Sequence, residues 1–486
     1  MVPKNPRWII AIIIIIATFL YGFNLHATYP FDGDTARDTL RMLEIWQKKE
    51  LTLIGAPLSL GYGTPKEVYF SSLPNYIGLT GLLVANFDPI GAAIPNTIIF
   101  IIGILFYWAW VKRITTSKSV QRLSALIFAW NPLSVNQARF FWNPNLIIPL
   151  SAIFWYLIAI NSIFLAGFVI GIIFNLHYLG VIGGVLYSVY FIISRKWRRL
   201  LQFVSGALIG AMPVILFELR NQFYLSKTFW WNLTHAPQVF NFGEKTNIFR
   251  GLANSLLAQL GLVHADLQYP IIMSLSDSIL TIISLILLIL VSRKAWDIWQ
   301  SHQSARKYIL IYLSSIVLLN LGGASGYTRY IWGVFPIATW LLAETLVSLK
   351  SRLIIIVTIL FIIGGSLTNI FTPRHYQNGQ LPLRDLESIS QVIADDNPTG
   401  RYNVTESITG DARFVSLRYF LLRDNAVKPQ DVAGYTNLDT LYIAAVNGED
   451  TLIGDRWEFS ATPGLVLTDS FPIGELVVAK YTRGQE

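Results

Sequence analysis

Long apolar runs recur along this chain, and they limit what it can fold into more than any other feature. They fall at 8–25, 90–111, 121–137, 145–161, 162–177, 178–194, 200–217, 271–292, 308–321, 330–347 and 353–370. A helix of about 20 apolar residues crosses a bilayer with every backbone group satisfied internally. The pattern predicts a polytopic α-helical membrane protein with roughly eleven crossings, the shorter runs included. Composition agrees, with 53% hydrophobic and only 14% charged residues, whereas soluble domains carry about 25% charged residues. The first run is long and no small-x-small site follows it, so a cleaved signal peptide is not expected. Without cysteine, disulfides, thiolate metal sites and cysteine nucleophiles are excluded.

Charge sets the orientation. Lys4 and Arg7 precede the first run, which places the N-terminus in the cytoplasm. The dense basic clusters then all fall on that same side: Lys112-Arg113 with Lys118 and Arg122, Arg195 to Arg199, Arg293-Lys294 with Arg306-Lys307, and Lys350 with Arg352. The net charge of +8 is thereby accounted for by membrane topology and calls for no nucleic acid. The expected setting is a bacterial plasma membrane, with the C-terminal tail extracytoplasmic.

The opposite face carries outer loops at 26–89 and 218–270, short turns near 138–144 and 322–329, and the tail. In the first loop, Asp34 to Lys49 spaces Leu40, Leu43 and Trp46 as an amphipathic helix lying on the membrane surface. A turn-rich stretch from Gly55 to Pro65 follows. Tyr69 to Phe87 is apolar but interrupted by Pro74 and Gly78, which suits a second interfacial or re-entrant helix. A full span there would invert every later basic loop. The organisation expected is a transmembrane domain at 1–372 and a small α/β domain at 373–486 with a recognition or lid role. In the tail, helices are predicted near 384–394 and 413–422. Strands are predicted at 402–405 and 440–446, with a closing hairpin at 465–468 and 474–481. The pairs Gly167/Gly171 and Gly206/Gly210 read as helix-packing contacts.

The chemistry-bearing residues lie on the outer face. Asp32 and Asp34 flank Gly33 just after the first run. Either carboxylate can take a proton from an attacking hydroxyl, and a turn would let both bind one divalent cation. Asp34 is equally suited to cap the helix that begins there. Lys66, Arg139, Arg220 and Arg329 stand at outer loops and exits. One such arginine commonly snorkels to headgroups, but three at separate exits fit a phosphate-linked lipid, which guanidinium binds as a fork. His177 ends a span, where it can cap a helix, bind phosphate or bind a metal.

Taken together, Asp34 to Asp38, Leu53 to Pro57, Tyr69 to Tyr76, Arg139 to Asn145, Asn175 to Tyr178, Phe217 to Arg220 and Arg329-Tyr330 resemble the motifs of GT-C glycosyltransferases. The resemblance is to the aminoarabinose transferase and protein O-mannosyltransferase group (family 39) and its RgtA/B/C/D-like relatives. It covers roughly residues 1–370. It implies a GT-C-like bundle that moves a hexose or pentose, with inversion, from a polyprenyl-phosphate carrier to a lipid, glycan or protein hydroxyl. On this resemblance Asp34 is the general base, with Asp32 its rival, and Lys66, Arg139, Arg220 and Arg329 hold the donor phosphate. Arg37, Asp38, Tyr69, Asn143, His177, Tyr178, Glu218 and Tyr330 line the substrate cavity. The family is divided on metal use, so a divalent cation at Asp32 and Asp34 stays open. The chain departs from the family in having Asp-Gly-Asp for the Asp-Glu pair and Ser71-Ser72 for a His-Gly or Lys-Pro.

The competing expectation is a transporter or lipid flippase without transferase activity. Such proteins place ionisable groups near the bilayer midplane, whereas here they cluster at the ends of runs.

Overall fold

The computed structural model describes residues 7–58, 66–235, 277–321, 328–411, 413–424, 428–430, 432–448, 461–462 and 464–484. The outer loop beyond 235, most of the turn at 322–329 and the Gly61–Pro65 stretch lie outside the described residues. The chain divides into two compact units. The first comprises Met1–Phe23, Thr52–Ile77 and Ala93–Ile370; the second comprises Asn24–Leu51, Gly78–Ala92 and Phe371–Glu486. The second unit takes in two pieces of the first outer loop.

The first unit is a helical bundle. Among the described residues two helices are long and apolar enough to cross a membrane, Pro89–Ile114 and Arg329–Ser348. Trp197–Gly210 and Met212–Arg220 count as a third if taken as one span bent by 70°. Six shorter apolar helices accompany them, among them Trp8–Gly22, Ile147–Ala159 and Ile163–Leu176. The run at 121–137 is two helices, Lys118–Trp130 and Pro132–Ala138, because Asn131 caps the second and Pro132 starts it. The run at 178–194 opens with a 3-10 turn at Tyr178–Val181 before Ile182–Ile193. Breaks of this kind shorten the helices below the length that the apolar runs suggest.

Large aromatic side chains fill the centre of the bundle. Trp110, Trp155, Trp332 and Trp340 are fully buried, and Tyr107 stacks on Phe128 with ring centroids 4.2 Å apart. Polar contacts also cross between helices: Trp155 Nε1 donates to the Gly333 carbonyl at 3.0 Å, and Thr339 Oγ1 to the Tyr107 hydroxyl at 2.8 Å. Helices Ile163–Leu176 and Trp197–Gly210 meet backbone to backbone. A Cβ on Gly167 would lie 1.9 Å from the Phe203 carbonyl oxygen, and one on Gly206 would lie 2.0 Å from that of Phe164. Asn175 clamps this seam by donating to the carbonyls of Gly171 and Gly210 at 2.8 and 2.9 Å.

The first outer loop contributes a short antiparallel ribbon to this unit. β1 (Ile54–Pro57) pairs with β2 (Tyr69–Ser71), where the sequence suggested turns at Gly55–Pro57. Gly55 permits the approach, since a Cβ there would sit 2.8 Å from the Ser71 carbonyl oxygen. Helix Leu73–Val84 follows at once. Pro74 lies in its first turn, so it starts this helix and does not interrupt it. At 12 residues the helix is about 18 Å long, too short to cross a bilayer core.

The second unit holds a four-stranded sheet in the order β3-β4-β6-β5, comprising β3 (Tyr402–Glu406), β4 (Thr440–Val446), β5 (Leu465–Ile473) and β6 (Leu476–Arg483). β3 and β4 run parallel, and β5 and β6 form the expected hairpin. Helices Leu383–Asp395 and Val415–Arg423 pack beside one another. The first-loop helix, Gly33–Lys48, packs on Val415–Arg423. Its buried face carries Ala36, Asp38, Thr39, Met42, Leu43 and Ile45. The stripe expected from Leu40, Leu43 and Trp46 is therefore rotated: Leu43 is buried, but Trp46 is exposed beneath the Lys49 ammonium. The rotation arises because tail residues cover the helix. Phe31 meets Tyr419 and Phe420 edge-on, and Gln47 donates to the Leu422 carbonyl.

Candidate active site

The acidic motif belongs to the second unit. Asp32 is extended at φ −145°, immediately before helix Gly33–Lys48, and its carbonyl accepts from the Thr35 and Ala36 amides. Gly33 follows at φ +44°, a conformation that L side chains rarely adopt. Helix capping is thus centred on Asp32, and Asp34 sits in the first turn. A carboxylate there is favoured by the helix dipole. The Asp32 side chain makes no capping bond. It accepts instead from Nη2 of Arg374, a side chain only 8% exposed whose amide also donates to the Ala27 carbonyl.

Asp34 engages a different cation. Arg37 Nη1 donates to its Oδ1 at 2.6 Å, while Arg37 Nε and Nη2 donate to Asp38 Oδ1 at 3.0 and 2.8 Å. The Asp34 side chain is 53% exposed and that of Asp38 only 4%. Burial pushes the Asp38 carboxyl up to about 6, against the pull of the Arg37 cation. Burial opposes the Arg37 charge, but Asp38 and Asp34 outweigh it and hold the guanidinium above its ordinary value. A buried acid thus anchors an arginine that reaches back to an exposed acid. The two motif carboxylates do not share one partner.

Aromatic and cationic candidates gather in the first unit. The Arg329 guanidinium lies 5.2 Å from the Trp142 ring centroid and 5.3 Å from that of Tyr330. Tyr330 meets His177 at 5.2 Å, and His177 meets Phe70 at 5.4 Å. Phe70 contacts Tyr178, whose hydroxyl donates to the Tyr69 carbonyl at 2.5 Å. Burial and the Glu67 carboxylate, which accepts from the Tyr69 hydroxyl at 2.8 Å, push that phenol up to about 12. Lys66 stands 4.4 Å over the Trp231 ring. His177 Nδ1 also accepts from the Leu179 amide, and Asn143 donates to the Leu176 carbonyl at 2.7 Å. These contacts join Arg329, Tyr330, His177, Tyr178 and Tyr69 into one run, with Phe70 and Trp142 completing it.

Three further candidates make other contacts, although the Glu218 charge also acts on Tyr178. Arg139 is 3% exposed and donates to the Leu20 carbonyl at 2.6 Å. Glu218 accepts from the amides of Leu225 and Ser226 at 2.7 and 3.0 Å, at the start of helix Tyr224–His235. Arg220 is exposed at the end of helix Met212–Arg220.

Arg374 is the site residue that sequence reasoning missed. It follows the last apolar run at an outer exit, the same signal that singled out Arg220 and Arg329. Trp142 and Phe70 belong to the quoted motifs without having been singled out. Among the described residues no group of three His, Asp or Glu side chains is placed to hold a metal. Asp32 and Asp34 each face a guanidinium, a donor arrangement that does not fit a resident divalent cation.

No family model matches the chain, and no curated protein does. Solved structures do. ArnT from Cupriavidus metallidurans, bound to undecaprenyl phosphate, matches at a TM-score of 0.61 and 13% identity over 98% of each chain. The oligosaccharyltransferase of Archaeoglobus fulgidus, tethered to an acceptor peptide, matches at 0.53 and 11% identity over 91% of this chain and 69% of that one. Its apo form matches at 0.51 and 11% identity, over 89% of this chain and 65% of that one. The chain therefore has the GT-C fold, as its motifs led one to expect.

Proposed function

We propose that the chain is a multi-pass membrane glycosyltransferase. It moves a sugar from a polyprenyl phosphate to an acceptor hydroxyl on the extracytoplasmic face. The similarity to ArnT, which covers 98% of both chains and whose structure holds undecaprenyl phosphate, supports the donor class. The observation that carries the assignment of the base is the separate pairing of the two aspartates. The two carboxylates are similarly exposed, 42% for Asp32 and 53% for Asp34, but Asp32 pairs with Arg374, only 8% exposed, whereas Asp34 pairs with Arg37, which at 29% is more open to solvent.

In the proposed step the acceptor oxygen attacks the anomeric carbon and gives its proton to the Asp34 carboxylate. The bond from the anomeric carbon to the phosphate oxygen breaks, and polyprenyl phosphate leaves with the electron pair. Attack opposite the leaving group inverts the anomeric configuration. Arg37, anchored by Asp38, positions Asp34 until substrate arrives. Lys66 and Arg329 hold the phosphate, whose charge grows as the bond breaks, whereas Arg139 is buried against the Leu20 carbonyl. A glycosyl phosphate already carries a good leaving group, so positioning, one base and charge stabilisation suffice. The aromatic run through Tyr330, His177 and Tyr178 shapes the cavity for the sugar, with Tyr69, Asn143 and Glu218 at its margins. The tail, with its four-stranded sheet, recognises the acceptor.

The test is Asp34→Asn. Base removal lowers transfer by about 10²–10⁴-fold with membrane expression unchanged, read by mass spectrometry of glycolipids and glycoproteins in cells with and without the protein. Undiminished transfer in that variant overturns Asp34 as base. An unaltered glycan profile on deletion overturns the activity itself.

A further inference from the structure

A groove opens in the first unit, between helices Arg7–Gly22, Lys118–Trp130, Phe335–Ser348 and Arg352–Phe371. Its volume is about 420 Å³, within the 300–1,000 Å³ or so typical of ligand clefts. Its walls are apolar, built from Trp8, Ile12, Leu126, Trp130, Val347 and Ile355. One cation enters it. Arg122 lines the groove, and its Nε is fully buried with no hydrogen-bond partner. A buried guanidinium N–H without an acceptor is costly, so the site calls for an anion.

Among the described residues the chain offers none. From Asp88 to Glu218 there is no intervening aspartate or glutamate, while Lys112, Arg113, Lys118 and Arg122 cluster within that stretch. Among the described residues no carboxylate forms an ion pair with Arg122. Gln121 beside it donates to the Thr115 carbonyl at 2.9 Å, and Glu344 accepts from Trp340 Nε1. An apolar slot ended by an unpartnered cation and flanked by tryptophans matches an amphiphile with an acidic head.

We infer that this groove holds one anionic phospholipid of the surrounding bilayer, its phosphate on the Arg122 guanidinium and an acyl chain against Ile12, Leu126 and Ile355. The inference rests on the membrane setting of the proposed function, not on the transfer reaction. Arg122 touches no residue of the proposed catalytic machinery.

The test is native mass spectrometry of the purified full chain in mild detergent, titrated with phosphatidylglycerol or phosphatidylcholine. The wild type is expected to retain one phosphatidylglycerol about tenfold more tightly than phosphatidylcholine, the scale of one charge-assisted contact. Arg122→Gln removes that preference, weakening phosphatidylglycerol more than the zwitterionic phosphatidylcholine. Ile12→Trp, at a side chain 43% exposed, narrows the slot and weakens both lipids alike. A preference that survives in Arg122→Gln, or equal retention of the two lipids by the wild type, overturns the site. Asp34→Asn binds lipid as the wild type does, so a failed transferase assay and a failed lipid site are separately visible.

Discussion

Gly206→Ala puts a methyl group into the close seam between helices Ile163–Leu176 and Trp197–Gly210. Its Cβ would lie 2.0 Å from the Phe164 carbonyl oxygen and 2.8 Å from the Phe168 nitrogen. A carbon approaches a carbonyl oxygen to about 3.3 Å at closest, so helix Trp197–Gly210 must retreat by about 1.3 Å. The retreat cannot stay local, because Gly167, Gly171 and Gly210 are in equally close contact along the same seam. It also stretches the bond from Asn175 to the Gly210 carbonyl, now 2.9 Å, to about 4 Å, beyond hydrogen-bonding range. Overpacking costs about 1–3 kcal/mol and a lost interhelical hydrogen bond about 1 kcal/mol. The expected loss is therefore about 2–4 kcal/mol. The assay is the thermal midpoint of the purified protein in detergent, with Gly364→Ala as control, since a Cβ at Gly364 meets nothing within 4 Å. Adding Gly167→Ala costs less than the sum of the single effects, because one retreat relieves both clashes. Helix Ile163–Leu176 ends at His177, which packs on Phe70 and Tyr330, so transfer activity falls with the midpoint. If Gly206→Ala melts with Gly364→Ala, the backbone-to-backbone seam is refuted.

Other substitutions separate the roles of the charged groups. Arg374→Gln leaves Asp32 without its buried partner and lowers the melting midpoint, while Arg374→Lys recovers most of it; an unchanged midpoint in Arg374→Gln contradicts the ion pair. The Asp38 carboxyl, raised by burial to about 6 in the folded protein, binds its proton more tightly folded than unfolded. Its contribution to stability is full below about pH 4 and is lost as pH rises through about 6. The difference in midpoint between wild type and Asp38→Asn should therefore change across that window, and a flat difference counts against the buried carboxyl. Arg329→Gln raises KM for the lipid-phosphate donor by about tenfold or more, measured by steady-state transfer to a fixed acceptor; a fall in kcat alone assigns it elsewhere.

The sequence by itself determined the membrane class, the fold and the small terminal sheet. Apolar runs and alternating strand patterns report burial in bilayer or core directly, so β4 and the β5–β6 hairpin are legible from residues alone. Gly167 and Gly206 were likewise readable as packing positions, because only a missing side chain lets two helices touch. What the tertiary structure decided is partnership. Asp32 and Asp34 are chemically alike and two residues apart, and nothing local distinguishes them. Arg374, 342 positions from Asp32, takes one, and Arg37 takes the other. The buried face of Gly33–Lys48 was settled in the same way, since a helix with several apolar residues has more than one face it can bury. Helix Val415–Arg423 covers the face of Ala36, Met42 and Leu43 and leaves Trp46 exposed. Local pattern fixes which groups need a partner; only the folded chain supplies the partner from afar.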